Sequence, residues 1–259
     1  MKRVRVFLLW ALAGCAEPPP EPEKPADPTV EERALDPLRV GREWIDQREQ
    51  EGKLDQAIRV LDYHSAQKPQ SAALHLLAAE ACSRALEDLG ERKSQERALV
   101  KRLLANGKFH GDEAVRIEPT NGAALYWRAC LLLHEADVHS SLGTAKRALA
   151  ELERAEALLP GIDQGGPARM MGRVYYEMPG LFGGSVAKAI AAYQRSLKIA
   201  PNCMTSHLWL GEAYLDARKP DLARAELEWV LAAPPRPGHE KEDGADQKEA
   251  REKLKGLRK

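Results

Sequence analysis

Asn202 to Pro235 reads NCMTSHLWLGEAYLDARKPDLARAELEWVLAAPP, and it spells two amphipathic helices joined by a turn. Leu208, Gly211 and Leu215 recur at i, i+3 and i+7, one face of a first helix. Asn202 can cap that helix, its side-chain oxygen accepting from a free backbone amide. Pro220 stops it early. Ala223, Leu227 and Val230 line the inner face of a second helix, which Pro234 and Pro235 end. Gly211 costs on the order of 1 kcal/mol against alanine in a helix. In return it lets a second helix pack close. One such hairpin cannot cover both of its apolar faces, so further pairs must stack on it.

This pattern resembles the tetratricopeptide repeat, whose period is about 34 residues. Numbered from Met204, Leu210, Gly211 and Tyr214 fall at positions 7, 8 and 11, and Ala223, Leu227 and Pro235 at 20, 24 and 32. The resemblance implies an all-α fold: a right-handed superhelical solenoid of about five antiparallel helix pairs over residues 37–235. A linker and capping helix follow at 236–259.

Outward from that stretch the pattern recurs. Asp36-Pro37 opens a first helix expected to run to about Glu51, with Gly52 ending it. Trp44 and Ile45 hold positions 7 and 8 and are larger than the family prefers, so a looser crossing is expected there. Ala57, Leu61 and Pro69 follow at 20, 24 and 32. Ser71 can cap the next helix, 72–88. Pro119 comes 50 residues after Pro69, 16 more than one period. A long helix through Ala105, a break at Asn106-Gly107 and a short helix into Ile117 are expected in between. Asn121 caps the next first helix, to about His139, and helix 144–159 carries Ala148, Leu152 and Ala155. Helices 167–178 and 185–199 carry Gly172 at position 8 and Ala189 and Tyr193 at 20 and 24. Between them stands Pro179-Gly180-Leu181-Phe182-Gly183-Gly184, a turn ahead of a helix that Ser185 can cap. Free amides there could hold an anion, but no phosphate-loop lysine sits at the required spacing. Leu181 and Phe182 are expected to tuck against the core. A similar insertion occurs in T-component proteins of tripartite periplasmic transporters. The last helix is expected at 244–258, polar except for Ala250, Leu254 and Leu257, as the cover of a solenoid end.

The first 14 residues carry basic Lys2, Arg3 and Arg5 ahead of an apolar run, Val6 to Ala13, too short to span a bilayer. Leu12-Ala13-Gly14-Cys15 resembles the lipobox of bacterial lipoproteins. The resemblance implies cleavage before Cys15, lipidation of that residue and attachment to a membrane, the outer membrane facing the periplasm where a cell has two. Residues 15–36 hold six prolines between Pro18 and Pro28 and read as a stiff, extended tether.

Formal net charge is zero, with 30% charged and 5% aromatic residues. A nucleic-acid surface would need clustered excess Lys and Arg, so nucleic acid is not an expected partner. His134-Glu135-Ala136-Asp137-Val138-His139 spaces its histidines at i and i+5, whereas the zinc-protease helix needs i and i+4 on one face. Cys130/His134 and Cys203/His207 are each i, i+4 pairs, but nothing joins them. Cys82, Cys130 and Cys203 read as packed free thiols. No metal, cofactor or catalytic constellation is expected.

In the repeat family, positions 2, 5, 9, 12 and 13 of each first helix line a concave groove. The resemblance assigns those places to Tyr126, Cys130, Leu133 and His134, to Arg169, Arg173, Tyr176 and Glu177, and to Leu208, Glu212, Leu215 and Asp216. It implies a non-catalytic module that binds a segment of a protein or peptide partner. The alternative is a periplasmic small-ligand-handling protein similar to the T-components, with Tyr126, Arg169 and Tyr176 lining a closed cavity.

Overall fold

The computed structural model describes residues 27–90 and 96–257. These contain twelve α-helices: α1 Val30–Arg33, α2 Pro37–Asp46, α3 Lys53–Gln67, α4 Ala72–Leu89, α5 Arg97–Ile117 and α6 Gly122–His139. Then come α7 Leu142–Leu158, α8 Gly166–Glu177, α9 Val186–Ile199, α10 Met204–Asp216, α11 Pro220–Ala232 and α12 Glu240–Leu257. From α2 to α11 they form five antiparallel pairs, and α12 packs on α10 and α11. The chain divides into two compact units. One comprises residues up to 45, 52–119 and 127–148; the other comprises 46–51, 120–126 and 149–259.

Each pair closes on small residues. Ala57, Ala148, Ala189 and Ala223 stand twelve residues before a closing proline and are fully buried. The facing first helix supplies glycine where the partner side chain is large. A Cβ on Gly172 would lie 2.4 Å from the Tyr193 ring, and one on Gly211 would lie 3.0 Å from Leu227. In the first pair the close approach is not at Trp44-Ile45 but one turn earlier. A Cβ on Gly41 would lie 2.9 Å from Leu61, and Ile45 is simply buried core.

Several expected boundaries move, each for a visible reason. The helix from Pro37 stops at Asp46 rather than Glu51, because Arg48 and Glu49 turn away to meet His239, Lys241 and Glu242. α5 runs unbroken through Asn106-Gly107. Gly107 is there for contact: a Cβ would meet Leu131 at 2.5 Å and the Cys82 Cβ at 2.8 Å. Asn106 is held on its side by donating to both Asp62 oxygens, at 3.0 and 2.9 Å. Cys203, not Asn202, occupies the cap position of α10. Pro220 does not stop α10, which ends at Asp216; it is the first residue of α11, a place where its missing N–H is harmless. The expected linker at 236–243 is shorter, since α12 begins at Glu240.

Asn121 caps α6 through the amides of Ala123 and Ala124, and Ser185 caps α9 through Lys188. The Gly-rich insertion forms a 3-10 turn, Gly180–Phe182. Leu181 is 91% exposed and Phe182 43% exposed, so neither is tucked into the core. The amides of Phe182, Gly183, Gly184 and Ser185 all donate to backbone carbonyls, which takes them from any anion. Cys15 and residues 15–26 of the tether lie outside the described residues. The remainder is not fully extended: Thr29 and Glu32 form a capping box around α1, and Arg59 pairs with Glu32 at 3.0 Å.

The glycine contacts give a direct test. Gly172→Ala should destabilise the protein by about 1–3 kcal/mol, because the new methyl overlaps the Tyr193 ring. Gly244→Ala in α12 meets nothing within 4 Å and should be neutral or stabilising by up to about 1 kcal/mol. Urea unfolding of both variants checks the pair, and equal effects would refute the packing argument.

Candidate functional site

The second unit aligns three first-position helices, α8, α10 and α12, with a row of alternating charge across them. Arg173 on α8 donates to Glu212 on α10 at 3.1 Å, and Lys253 on α12 donates to the other Glu212 oxygen at 2.9 Å. Glu177, one turn beyond Arg173, pairs with it at 2.6 Å, and Glu249 pairs with Lys253 at 3.0 Å. The Arg173 guanidinium lies over the Trp209 ring, 5.1 Å from its centroid, and over the Tyr176 ring, 5.8 Å from its centroid. Burial works against the charge on Arg173, but Glu177 and Glu212 more than restore it. Burial also pushes the Tyr176 phenol up, reinforced by Glu212 and by Asp216, to which it hydrogen-bonds. Beneath them the Tyr193 ring lies against Gly172 and is fully buried.

A second polar cluster occupies the start of these same helices. Tyr126 and Arg169 both bond to the Asp163 Oδ2, at 2.5 and 2.6 Å. Arg236 is clamped on the fully buried Asp243 and also donates to Gln164 at 2.5 Å. Glu49 accepts from the amides of Lys241 and Glu242, so its carboxylate caps the start of α12 from 192 residues away. Arg48 bonds His239 at 2.9 Å. The Thr205 hydroxyl faces two carboxylates, Asp246 at 2.7 Å and Glu242 at 3.3 Å. These two are driven apart. For Glu242 burial alone would raise the pKa, but the His239 hydrogen bond and the charges of Arg236 and Arg169 hold it at about 2. Asp246 is pushed up to about 7, by burial first and then by Glu242 and Asp243, against the pull of Thr205.

The groove residues assigned by resemblance therefore fall into three groups. Arg173, Tyr176, Glu177, Glu212, Leu215 and Asp216 come together on the α8–α10 face, half-buried or exposed. Tyr126, Cys130, Arg169 and Leu208 are buried and cannot offer side chains to a partner. Arg169 is enclosed with Asp163, and Leu208 lies in the apolar cluster that α12 completes. Leu133 and His134 are half-buried and, like Cys130, belong to the first unit. Tyr126 and Arg169 are engaged by Asp163, while Tyr176 stands two turns further along α8 with Asp216. The closed cavity pictured for a small ligand is thus not built by these three. Lys253 and Trp209 complete the row and were missed. Lys253 lies beyond the last repeat, where no repeat position points to it, and Trp209 sits at position 6, outside the groove positions.

The remaining candidate chemistry is engaged in packing. Glu135 pairs with Lys108. Cys203 accepts from Ser206 at 3.3 Å, whereas His207 bonds Glu226 and the Pro201 carbonyl and stacks on Trp229 at 3.7 Å. Cys82, Cys130 and Cys203 are buried free thiols. Among the described residues no group of three or more His, Cys, Asp or Glu is placed to hold a metal ion, and no helix is long and apolar enough to cross a membrane.

The carboxylate pair makes stability depend on pH in a stated direction. The folded chain keeps a proton on Asp246 that the unfolded chain gives up near pH 4, so stability falls as pH rises from about 4 to about 7. Asp246→Asn should remove that decline and leave the variant more stable than the parent at pH 8, on the order of 1–2 kcal/mol. The two should match at pH 4. Parallel unfolding curves across this range would refute the assignment.

No protein-family model matches this chain, and no curated protein sequence matches it. Solved structures match by fold. The thermophilic TPR protein TTC0263 of Thermus thermophilus superposes with a TM-score of 0.57 at 18% identity, over 81% of this chain and 96% of that one. YrrB, described as a TPR protein with an unusual peptide-binding site, gives 0.49 at 16% identity, over 87% and 94%. MamA gives 0.48 at 20% identity, over 79% and 93%. At these identities the likeness is one of fold, and it rests on the Thermus protein. Together with the five sequential pairs, it makes this an all-helical, TPR-like solenoid fold.

Proposed function

We propose that this protein is a non-catalytic interaction module that holds a segment of a partner polypeptide against the α8–α10–α12 face, outside the cytoplasm, tethered to a membrane by lipid on Cys15. The observation that carries the binding surface is the row Arg173–Glu212–Lys253 with Trp209, Tyr176 and Leu215 beside it. Three alternate helices share this face, α8 and α10 with half-buried aromatic, aliphatic and charged groups and α12 with Lys253 and Glu249. An extended segment lying across them would meet each helix once. Such a face suits a polypeptide, which carries apolar, acidic and basic groups together. It does not suit a polyanion, because its two cations are already matched by Glu177, Glu212 and Glu249. The membrane tether is carried by the sequence alone, through Lys2, Arg3, Arg5, the apolar run and Leu12-Ala13-Gly14-Cys15. On this reading the protein sits at the outer membrane, facing the periplasm, in a two-membrane cell.

Two experiments separate these parts. A photocrosslinking residue at Glu177 or Asp216, both exposed on the face, should capture one polypeptide in cells, and the same residue at Glu228 on α11 should not. Equal capture from all three positions, or none from any, would sink the binding face. Cys15→Ser should move the protein from the membrane to the soluble fraction and abolish incorporation of labelled fatty acid. Unchanged fractionation would remove the anchor from the proposal and leave the binding face standing.

A further inference from the structure

The first unit holds a buried pair of imidazoles, bonded at either end to a half-buried carboxylate and a surface carbonyl, that the binding face does not use. His75 on α4 and His110 on α5 are each 2% exposed, and their Nδ1 atoms lie 2.8 Å apart. The other nitrogen of His75 lies 3.2 Å from the Pro69 carbonyl, and the other nitrogen of His110 lies 2.9 Å from Asp62 on α3. Asp62 also accepts from Asn106 on both of its oxygens. The order along the chain is carbonyl, imidazole, imidazole, carboxylate.

Counting protons along this chain leaves little freedom. A carbonyl only accepts, so His75 Nε2 must carry hydrogen. Asp62 accepts from Asn106 and faces His110 Nε2 as a further acceptor, so that nitrogen carries hydrogen too. Two nitrogens 2.8 Å apart need one proton between them, since with none their lone pairs repel and with two their hydrogens collide. The total is three protons on two rings, one more than two neutral imidazoles hold. The extra charge is balanced by Asp62. His75 is the poorer place for it, since burial and then the charge of His110 lower its pKa. The second proton therefore resides on His110, between the neighbouring ring and the carboxylate.

We infer that His75, His110 and Asp62 form a proton-dependent clasp that seats α5 on α3 and α4 only while the two rings share three protons. Removing one leaves two facing lone pairs inside the core, or breaks the hydrogen bond to the Pro69 carbonyl or to the half-buried Asp62 carboxylate. Adding a fourth puts hydrogen on both Nδ1 atoms, or on Asp62 in place of its accepted bond. The clasp thus loosens on both sides of an intermediate pH. The charged and titratable surroundings do not substitute for it. Glu113 and Arg116 on α5 are paired with each other at 2.8 Å. Arg128 on α6 packs over Gly111 and faces Asp112 at 3.5 Å. Burial and then the charge of Asp62 push the Cys82 thiol on α4 up, against Asn106 and Arg102, so it stays neutral. Phe109 closes edge-on over both rings.

Nitrogen-detected NMR of the imidazoles in the full chain tests the proton count. Where α5 is best protected, His75 should appear as the Nε2-protonated ring and His110 as protonated on both nitrogens. Amide hydrogen exchange supplies the consequence: protection of α5 should fall about tenfold on either side of its maximum, as expected for losing a charge-assisted buried hydrogen bond. His110→Gln should flatten that pH dependence in α5 while leaving the amides of α10 unchanged. Two neutral rings at every pH at which the chain is folded, or pH-independent α5 protection in the parent chain, would overturn the inference. Should the variant not fold, the ring spectra of the parent decide alone.

Discussion

The fold depends on one steric constraint, the closeness with which each second helix crosses its first. At the twelfth residue before each closing proline there is room for a methyl group at most, and the chain places Ala57, Gly107, Ala148, Ala189 and Ala223 there. Close crossing maximises dispersion contact within the pair. It also fixes which faces are left over, and those faces are apolar: Leu208, Leu227 and Val230 are fully buried only because α12 lies beside them. Stacking therefore follows from the crossing, and so does the need for an end cap. α12 meets that need with Ala250, Leu254 and Leu257 on the apolar cluster and a mostly charged remainder.

How much of this was legible depends on whether a residue's role is local or relational. Caps and closing prolines act within a few residues: Asn121 and Ser185 cap as their local signals read, whereas Asn202 lies one residue before the cap of α10 and Pro220 opens α11 rather than stopping α10. Gly107 shows the limit. A glycine after an asparagine reads locally as a break, but counted back from Pro119 it stands at the small-residue position of the second pair. The 16 surplus residues concealed that register. The extent of α2 was illegible for a different reason. Arg48 and Glu49 leave the helix for partners near the far end of the chain, and no local pattern encodes that. The Thr29-Val30-Glu31-Glu32 capping box was a local signal within reach, hidden by the proline-rich composition around it.

The candidate face was legible by position and misread by environment. Repeat numbering says which side of a first helix a residue occupies, not whether the next element buries it. Arg169 and Arg173 stand one turn apart on the same side of α8. Arg169 is enclosed with Asp163, whereas Arg173 remains half-exposed beside Trp209. The difference comes from the loop at 161–165, whose extra length brings Asp163 back over the start of the helix. Insertions between repeats thus change the face more than substitutions within them.

Charge on this protein is organised by pairing rather than by excess. Net charge is zero, and buried or half-buried carboxylates are matched by cations: Arg42 bidentate on Glu80, Arg169 on Asp163, Arg236 on Asp243, Arg173 and Lys253 on Glu212. Removing one member of such a set leaves the other uncompensated, which costs far more than the pair contributes. A partner that binds across Glu212 must therefore replace each contact it displaces, and only a segment with its own charges in matching order can do so. Selectivity at this face would come from that requirement, since the apolar groups beside it are permissive. The same logic governs the imidazole pair in the first unit, where the compensating charge is a proton and the solvent controls its supply.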